Sequence, residues 1–254
     1  LQVSALLRVE KVSKHFTGSQ KGKTIKAVDE VSLTLQQNEI FALIGESGSG
    51  KSTLAELIAH LQQPTSGLIT WAEDLQVPKK ETPTSLIQLI FQNPDRSMNP
   101  YWRVKDIITE PLRLSGYPKK KAYVHAEELL TKVKLSAEFL ERYPSECSGG
   151  QKQRIAVARA LSMSPLLLVA DEITSALDPT IEDEMLQLLL SIKRSEGMSI
   201  LYITHRLETI SGFADHVAVM KNGVIQEMGD TRTVLTEPKS DYTKALLKAA
   251  SFGS

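Results

Sequence analysis

The sequence predicts an α/β fold: a core with a parallel sheet, an antiparallel β subdomain at the N-terminus and an inserted α-helical subdomain. Three observations predict it. The apolar run Ile40-Phe41-Ala42-Leu43-Ile44 leads into GESGSGKS, Gly45 to Ser52, and then into the helix-like segment Thr53 to Ala59, which is the strand, glycine loop and helix of a P-loop. A second apolar run, Leu166 to Ala170, lacks polar alternation and suits a strand buried on both faces of a parallel sheet. Between the two, residues 93–163 exchange strand patterning for helical periodicity.

Each element follows from its local pattern. Ala5 to Val12 alternates loosely. Ile25 to Leu35 alternates better, with Ala27, Val28, Val31, Leu33 and Leu35 interspersed with Asp29, Ser32 and Thr34; both segments read as antiparallel strands. Thr17 to Thr24, rich in Gly, Lys and Ser, reads as a flexible connection, and Phe16 at its edge is either a ring that stacks on a base or a half-buried strand-end aromatic. Gln62 to Gly67 reads as a turn region, and Leu68 to Trp71 and Ser85 to Phe91 as strands. Asn93-Pro94 and Asn99-Pro100 then break the chain before two helices, Val104 to Leu114 and Lys119 to Val133, with apolar faces at Ile107, Ile108, Leu112 and at Leu129, Leu130, Val133. Tyr143-Pro144 and the loop Ser145 to Gly150 precede a helix at Gln151 to Met163, with Ile155, Ala158 and Leu161 on one side and Lys152, Arg154 and Arg159 among its polar positions. After Leu166 to Ala170 come a helix at Thr180 to Arg194, a strand at Ser199 to Thr204, a short helix after His205, and strands His216 to Met220 and Val224 to Met228 joined at Lys221-Asn222-Gly223. The Asn-Gly pair marks that turn as a hairpin. A helix over Asp241 to Ala250 ends the chain.

Composition bounds the function. At 254 residues the chain can bury a full core. Acidic and basic residues number 30 each, so no global field draws the surface to nucleic acid or anionic lipid. The single cysteine, Cys147, excludes an internal disulfide and fits a reducing compartment. The longest apolar runs are five or six residues, far short of the roughly 18 needed to span a membrane.

Glycines at 45, 48 and 50 let consecutive amides turn inward around an anion, and the following helix adds its positive end. The four fixed positions of this motif would arise by chance in only about one chain in a hundred of this length, so an ordinary glycine turn is the minority alternative. A nucleotide's phosphates fit, with Lys51 reaching the β- and γ-phosphates and the Ser52 hydroxyl on a Mg²⁺ ion. Asp171, at the C-terminal end of a buried strand, is placed to hold the Mg²⁺ shell, and Glu172 is the candidate base for an attacking water. Alone, the acidic pair is equally consistent with a strand-to-loop boundary.

In company the pair is more specific. Ser148-Gly149-Gly150-Gln151 stands about 100 residues beyond the P-loop and shortly before Asp171, and the chain resembles the nucleotide-binding domain of an ATP-binding cassette (ABC) transporter over nearly its whole length. The resemblance implies an ABC ATPase of the P-loop NTPase class as one domain over 1–254. Its nucleotide-binding core would be 1–92 and 164–235, with the antiparallel β subdomain; the helical lobe with the signature loop would be 93–163, and the C-terminal helical tail 236–254. It implies that ATP contacts Gly45, Glu46, Ser47, Gly48, Ser49, Gly50, Lys51, Ser52 and Thr53, and that Phe16 stacks on adenine. Ser148, Gly149, Gly150 and Gln151 become the signature loop, and Ser175-Ala176-Leu177-Asp178 the D-loop, with Asp178 at the nucleotide. Gln92 becomes the Q-loop residue sensing Mg²⁺ and the membrane subunit, and His205 the switch histidine. Lys51, Gln92, Glu172 and His205 would carry catalysis; Ser52, Gln92 and Asp171 would hold Mg²⁺. By the same resemblance two cassettes pair head to tail, each ATP lying between the P-loop of one and the signature loop of the other. The pair then drives integral membrane permease subunits at the cytoplasmic face of the cell membrane, fed by a substrate-binding protein and with no role for nucleic acid.

Finer similarity points to one branch. Phe91-Gln92-Asn93-Pro94-Asp95-Arg96-Ser97-Met98-Asn99-Pro100, Pro111-Leu112 and Tyr242-Thr243-Lys244-Ala245-Leu246-Leu247 resemble the ATPases of oligopeptide, dipeptide and nickel importers, implying import of peptides, or alternatively of nickel or another metal chelate, with a second, different ATPase chain as partner. Departures are Cys147 before the signature serine, where Leu or Phe is usual, Ile173 after Glu172 in place of Pro, and Arg206 after His205 in place of Asp. None removes a catalytic group, and Cys147 is expected to be a small buried apolar residue. A non-transport ABC ATPase, an exporter cassette and a P-loop kinase are the competing classes.

Overall fold

The computed structural model describes residues 4–17, 24–72 and 86–251; residues 18–23 of the expected flexible connection, and Ser85, lie outside them. Backbone contacts group the chain into two units, Leu1–Pro83 with Ser199–Ser254, and Thr84–Met198.

The first unit holds an antiparallel three-stranded sheet in which β1 (Ala5–Thr17) lies between β2 (Thr24–Gln36) and β4 (Ser66–Trp71). Its alternation is real: Val28, Val31, Leu33 and Leu35 are buried while Ser32 and Glu30 face out. The same unit contains β3 (Ile40–Ile44), β7 (Ser199–Thr204), β8 (His216–Lys221) and β9 (Val224–Asp230). β3 runs parallel to β7 on one side and β8 on the other, and β9 returns antiparallel on β8. Every residue of β3 and β7 is buried, as suits central parallel strands; β3 is apolar throughout, and β7 is apolar between a buried Ser199 and a buried Thr204. The β8–β9 turn puts Asn222 at φ 49° and Gly223 at φ 82°, the left-handed pair that an Asn-Gly hairpin needs. Helices α1 (Lys51–Ile58), α7 (Thr231–Thr236) and α8 (Asp241–Ser251) complete the unit.

In the second unit β5 (Ile87–Ile90) pairs in parallel with β6 (Leu167–Asp171). Its helices are α2 (Pro94–Ser97), α3 (Val104–Leu114), α4 (Lys119–Lys132), α5 (Gly149–Leu161) and α6 (Pro179–Glu196), with short 3₁₀ turns at Ala137–Glu141 and Pro144–Glu146. The predicted apolar faces meet: Ile107, Ile108, Leu129, Leu130, Val133, Ile155 and Ala158 are all at most 1% exposed. The predicted polar positions of α5 reach outward to acids, Lys152 to Asp95 at 2.7 Å, Arg154 to Glu184 at 2.8 Å and Arg159 to Glu110 at 2.5 Å. Arg159 also donates to the Ser97 carbonyl at 2.7 Å, tying α5 to both α2 and α3.

The structure corrects two local expectations. No short helix follows His205; residues 208–213 are turns. Leu207, Ile210 and Phe213 recur at a helix-like spacing, but Ile210 N to Leu207 O and Phe213 N to Ile210 O are i to i+3, a single i to i+4 bond from Ala214 N to Ile210 O follows, and Gly212 at φ 73° breaks any continuous helix. Cys147 is half-buried rather than buried, because it lies in the turn before α5 with its Sγ donating to the Tyr143 carbonyl at 3.6 Å.

Truncating the lobe's core should cost far more than trimming its surface. Ile155→Ala, at a fully buried position, should lower unfolding free energy by about 2–5 kcal/mol. Val124→Ala, at a site 64% exposed, should change it by less than about 0.5 kcal/mol in the same denaturant titration.

Candidate functional site

In the first unit, β3 delivers the chain into the glycine loop. A Cβ placed on Gly45 (φ 152°) would lie 2.1 Å from the Met220 carbonyl oxygen, and one on Gly50 (φ 106°) 2.1 Å from that of Ala27. Both positions therefore need glycine for space and for backbone conformation. Gly48 (φ 78°) has no neighbour within 4 Å and faces outward with Glu46 and Ser47. Lys51, only 4% exposed, folds its ammonium back onto the loop, donating to the Gly45 and Glu46 carbonyls at 2.8 and 2.9 Å. The Ser49 amide donates to Glu46 O at 3.2 Å, and Ser49 O accepts Gly223 N at 2.9 Å, so the β8–β9 turn braces the loop.

This geometry fits a phosphate chain. Gly50 caps α1 without any side-chain cap, so the first-turn amides point at the concavity with no carboxylate or hydroxyl covering them. A buried ammonium inside the loop adds charge to the helix's positive end. Ser52 is exposed and Thr53 half-buried at that end. The register Ile44↔Thr204 places His205 beside the start of the loop, at the C-terminal edge of the parallel strands, and it is exposed there. Phe16, 38% exposed near the end of β1, pairs with Ile25, and the Lys14 ammonium lies 5.4 Å from its ring centroid.

In the second unit the register Ile90↔Ala170 brings the residues after β5 beside those after β6. Gln92 Nε2 donates to the Glu172 carboxylate at 3.0 Å and to Ser175 Oγ at 3.1 Å, and Ser175 Oγ donates to the Glu172 carbonyl at 2.9 Å. A carboxylate only accepts, which fixes the Gln92 amide nitrogen toward it and leaves the carbonyl oxygen as the donor atom for a cation. Glu172 sits at φ 50°, a left-handed conformation uncommon outside glycine and frequent at functional sites. Asp171, half-buried, ends β6 one residue earlier.

Ser148 caps α5: its Oγ accepts the Gln151 amide at 3.3 Å, and its own amide donates to Gln151 Oε1 at 2.8 Å. Gly149 has open space around it, whereas a Cβ on Gly150 would meet Ile181 Cγ2 at 2.8 Å, making Gly150 the point where α5 approaches α6. Asp178 caps α6, accepting Ile181 N at 3.1 Å. Two residues escaped sequence reasoning. Gln153, 2% exposed, donates to the Ile173 carbonyl at 2.6 Å and so holds the backbone next to Glu172. Tyr242, visible in sequence only as part of a tail motif, accepts the Glu46 amide at 3.4 Å. Burial pushes the Cys147 thiol up, the direction opposite to that which activates a cysteine.

A profile of the ABC transporter family matches residues 28–175. The chain belongs to the ABC transporter family. It is an ATPase cassette, and relatives extend the match to its ends. YkfD of Bacillus subtilis, which carries the provisional name of an oligopeptide transport ATP-binding protein, is 40% identical over 250 residues, 96% of this chain and 76% of that one. The oligopeptide transport ATP-binding protein OppF of Lactococcus lactis is 41% identical over 233 residues, 89% and 72% of the two chains. The methionine import ATP-binding protein MetN of Staphylococcus saprophyticus is 42% identical over 234 residues, 90% and 67%. Among solved structures, the dimeric ATP-binding cassette MJ0796 in a post-hydrolysis state bound to ADP and Pi aligns with TM-score 0.75 and 26% identity over 89% of this chain and 99% of that one. Among the described residues no helix is long and apolar enough to cross a membrane.

The two kinds of glycine should separate in a thermal melt. Gly50→Ala should cost at least about 1–3 kcal/mol, from its left-handed φ and the carbonyl of Ala27. Gly149→Ala, in open space at the first turn of α5, should leave the apo protein's stability unchanged or raised by a few tenths of a kcal/mol.

Proposed function

We propose that this cassette hydrolyses ATP to power import of peptides through a membrane ABC transporter, working as one of two head-to-tail ATPase chains at the cytoplasmic face of the membrane. The contact that carries the catalytic part is the hydrogen bond from the Gln92 amide nitrogen to the Glu172 carboxylate, which orients the acid and leaves the Gln92 amide oxygen as the atom that can face a cation. Glu172 takes the proton of the attacking water, and His205 orients the γ-phosphate. Lys51 and the amides of Gly45 to Thr53 hold the phosphates, and Phe16 stacks on adenine. Ser148 to Gln151 and Asp178 face the nucleotide of the second cassette.

Mg²⁺ would be held by Ser52, Asp171 and Gln92, where it supplies charge neutralisation at the β- and γ-phosphates. A hydroxyl, a carboxylate and an amide oxygen are hard donors, and such a set suits an ion that keeps waters and phosphate oxygens for its remaining positions. Permease subunits would dock near Gln92, where a groove of about 490 Å³ is lined by Asn93, Arg96, Lys152 and Leu177 among others. Exposed apolar side chains in the same unit, Phe91 at 43% and Tyr101 at 87%, favour a protein partner there. Peptide cargo is supported by the relatives named for oligopeptide transport and by the tail motif Tyr242 to Leu247. A small solute such as methionine is the second reading, favoured by the 42% identity to MetN.

Glu172→Gln should keep ATP binding while lowering turnover by about 10²–10⁴; undiminished hydrolysis would remove Glu172 from the role of base. Affinity purification of the tagged chain in mild detergent should recover two membrane proteins and a second, different cassette, with ATPase activity raised by peptide. Recovery with ribosomes or DNA, and no membrane protein, would overturn the transport assignment.

A further inference from the structure

The tail motif has a physical role that its sequence does not reveal. Tyr242 stands in the first turn of α8, and its hydroxyl accepts the backbone amide of Glu46, 196 residues earlier, at 3.4 Å. The phenol is held at its ring as well as at its hydroxyl. The Lys221 ammonium lies 4.3 Å from the ring centroid, and Lys221 ends β8, the strand whose Met220 carbonyl abuts Gly45. The start of α8 is fixed in turn by β9: the Glu227 carboxylate accepts the amides of Lys239 at 2.8 Å and Ser240 at 3.0 Å, and Ser240 Oγ accepts the Tyr242 amide at 3.2 Å. The phosphate loop is thus braced at two points, at Ser49 by the β8–β9 turn and at Glu46 by α8.

We infer that Tyr242 is a positioning residue for the phosphate loop: by holding the Glu46 peptide, the C-terminal helix presets the loop for nucleotide. The inference presupposes that residues 45–53 receive the phosphates. A loop that is ordered before binding loses less entropy on binding, so the brace favours affinity and leaves the chemical step alone. Burial raises the Tyr242 phenol above its ordinary value, so at neutral pH the hydroxyl stays neutral and accepts as well as donates. The same contacts make the Tyr242 to Leu247 segment a lever on the loop, because whatever displaces α8 removes the Glu46 brace.

The test uses the full chain, with ADP binding by calorimetry and steady-state ATPase kinetics on the same preparation. Tyr242→Phe keeps the ring beneath Lys221 and removes only the hydroxyl. It should raise Kd for ADP and KM for ATP by about threefold to tenfold, the loss of the hydroxyl's hydrogen bonding to Glu46, with kcat changed by less than about twofold. The melting temperature of the apo protein should stay within about 1 °C of wild type and hydrogen exchange at the Glu46 amide should quicken, whereas a purely structural role would lower the melting temperature and leave Kd and KM where they were. Glu227→Ala, which releases the start of α8 while leaving Tyr242 in the chain, should reproduce the KM increase. An unchanged Kd and KM in Tyr242→Phe, with wild type binding ADP normally, would overturn the inference alone. A fall in kcat at constant KM would also overturn it. Failure of wild type to bind ADP would instead overturn the nucleotide assignment on which it stands.

Discussion

The glycine loop has no room for a side chain at either end. Its first glycine lies against the carbonyl of Met220 and its third against that of Ala27, each so close that a single methyl group would collide at 2.1 Å. The loop therefore takes its shape from β2 and β8, which are distant in sequence, and those strands must be in register before it exists. β3, which delivers the chain into the loop, is hydrogen-bonded to β8 on one side and to β7 on the other, and every residue of β3 and β7 is buried. Lys51 then closes the loop from inside, its ammonium satisfied by two loop carbonyls. A buried cation at the positive end of a helix is an arrangement that an anion stabilises.

The second unit meets a different constraint. Glu172 must leave a buried strand and turn at once, and it does so in a left-handed conformation that costs on the order of 1–3 kcal/mol for a non-glycine residue. Its neighbours compensate. Gln92 binds the carboxylate, Ser175 binds the carbonyl by both its amide and its hydroxyl, and Gln153 binds the next carbonyl, at Ile173. Gln153 belongs to α5, the helix that Ser148 caps, so the Ser148 turn and the backbone beside Glu172 share one rigid element.

Much of this was legible in the sequence, for reasons that differ by element. The central strands could be read because burial on both faces demands an unbroken apolar run. The loop could be read because its glycines answer to local conformation and close approach. The lobe helices could be read from Ile107, Ile108, Leu129 and Leu130, which are buried where the periodicity put them. What could not be read depends on partners far along the chain. Gln153 looks like one more polar residue on a polar helix face until Ile173 is placed against it. Tyr242 looks like a family marker until Glu46 is found at its hydroxyl. The segment after His205 misled because Leu207, Ile210 and Phe213 imitate a helical face, while Gly212 takes a conformation that no spacing rule anticipates.

The central claim is that the loop from Gly45 to Thr53 anchors nucleotide through its phosphates. Calorimetric titration of the full chain with AMP, ADP and ATP, with and without Mg²⁺, tests it most directly. A loop of converging amides with one buried ammonium should bind ADP and ATP at least about a hundredfold more tightly than AMP, since each charge-assisted hydrogen bond contributes about 1.5–3 kcal/mol. AMP binding within threefold of ADP, about 0.7 kcal/mol, would mean that the base, and not the phosphate loop, holds the nucleotide, and would contradict the account.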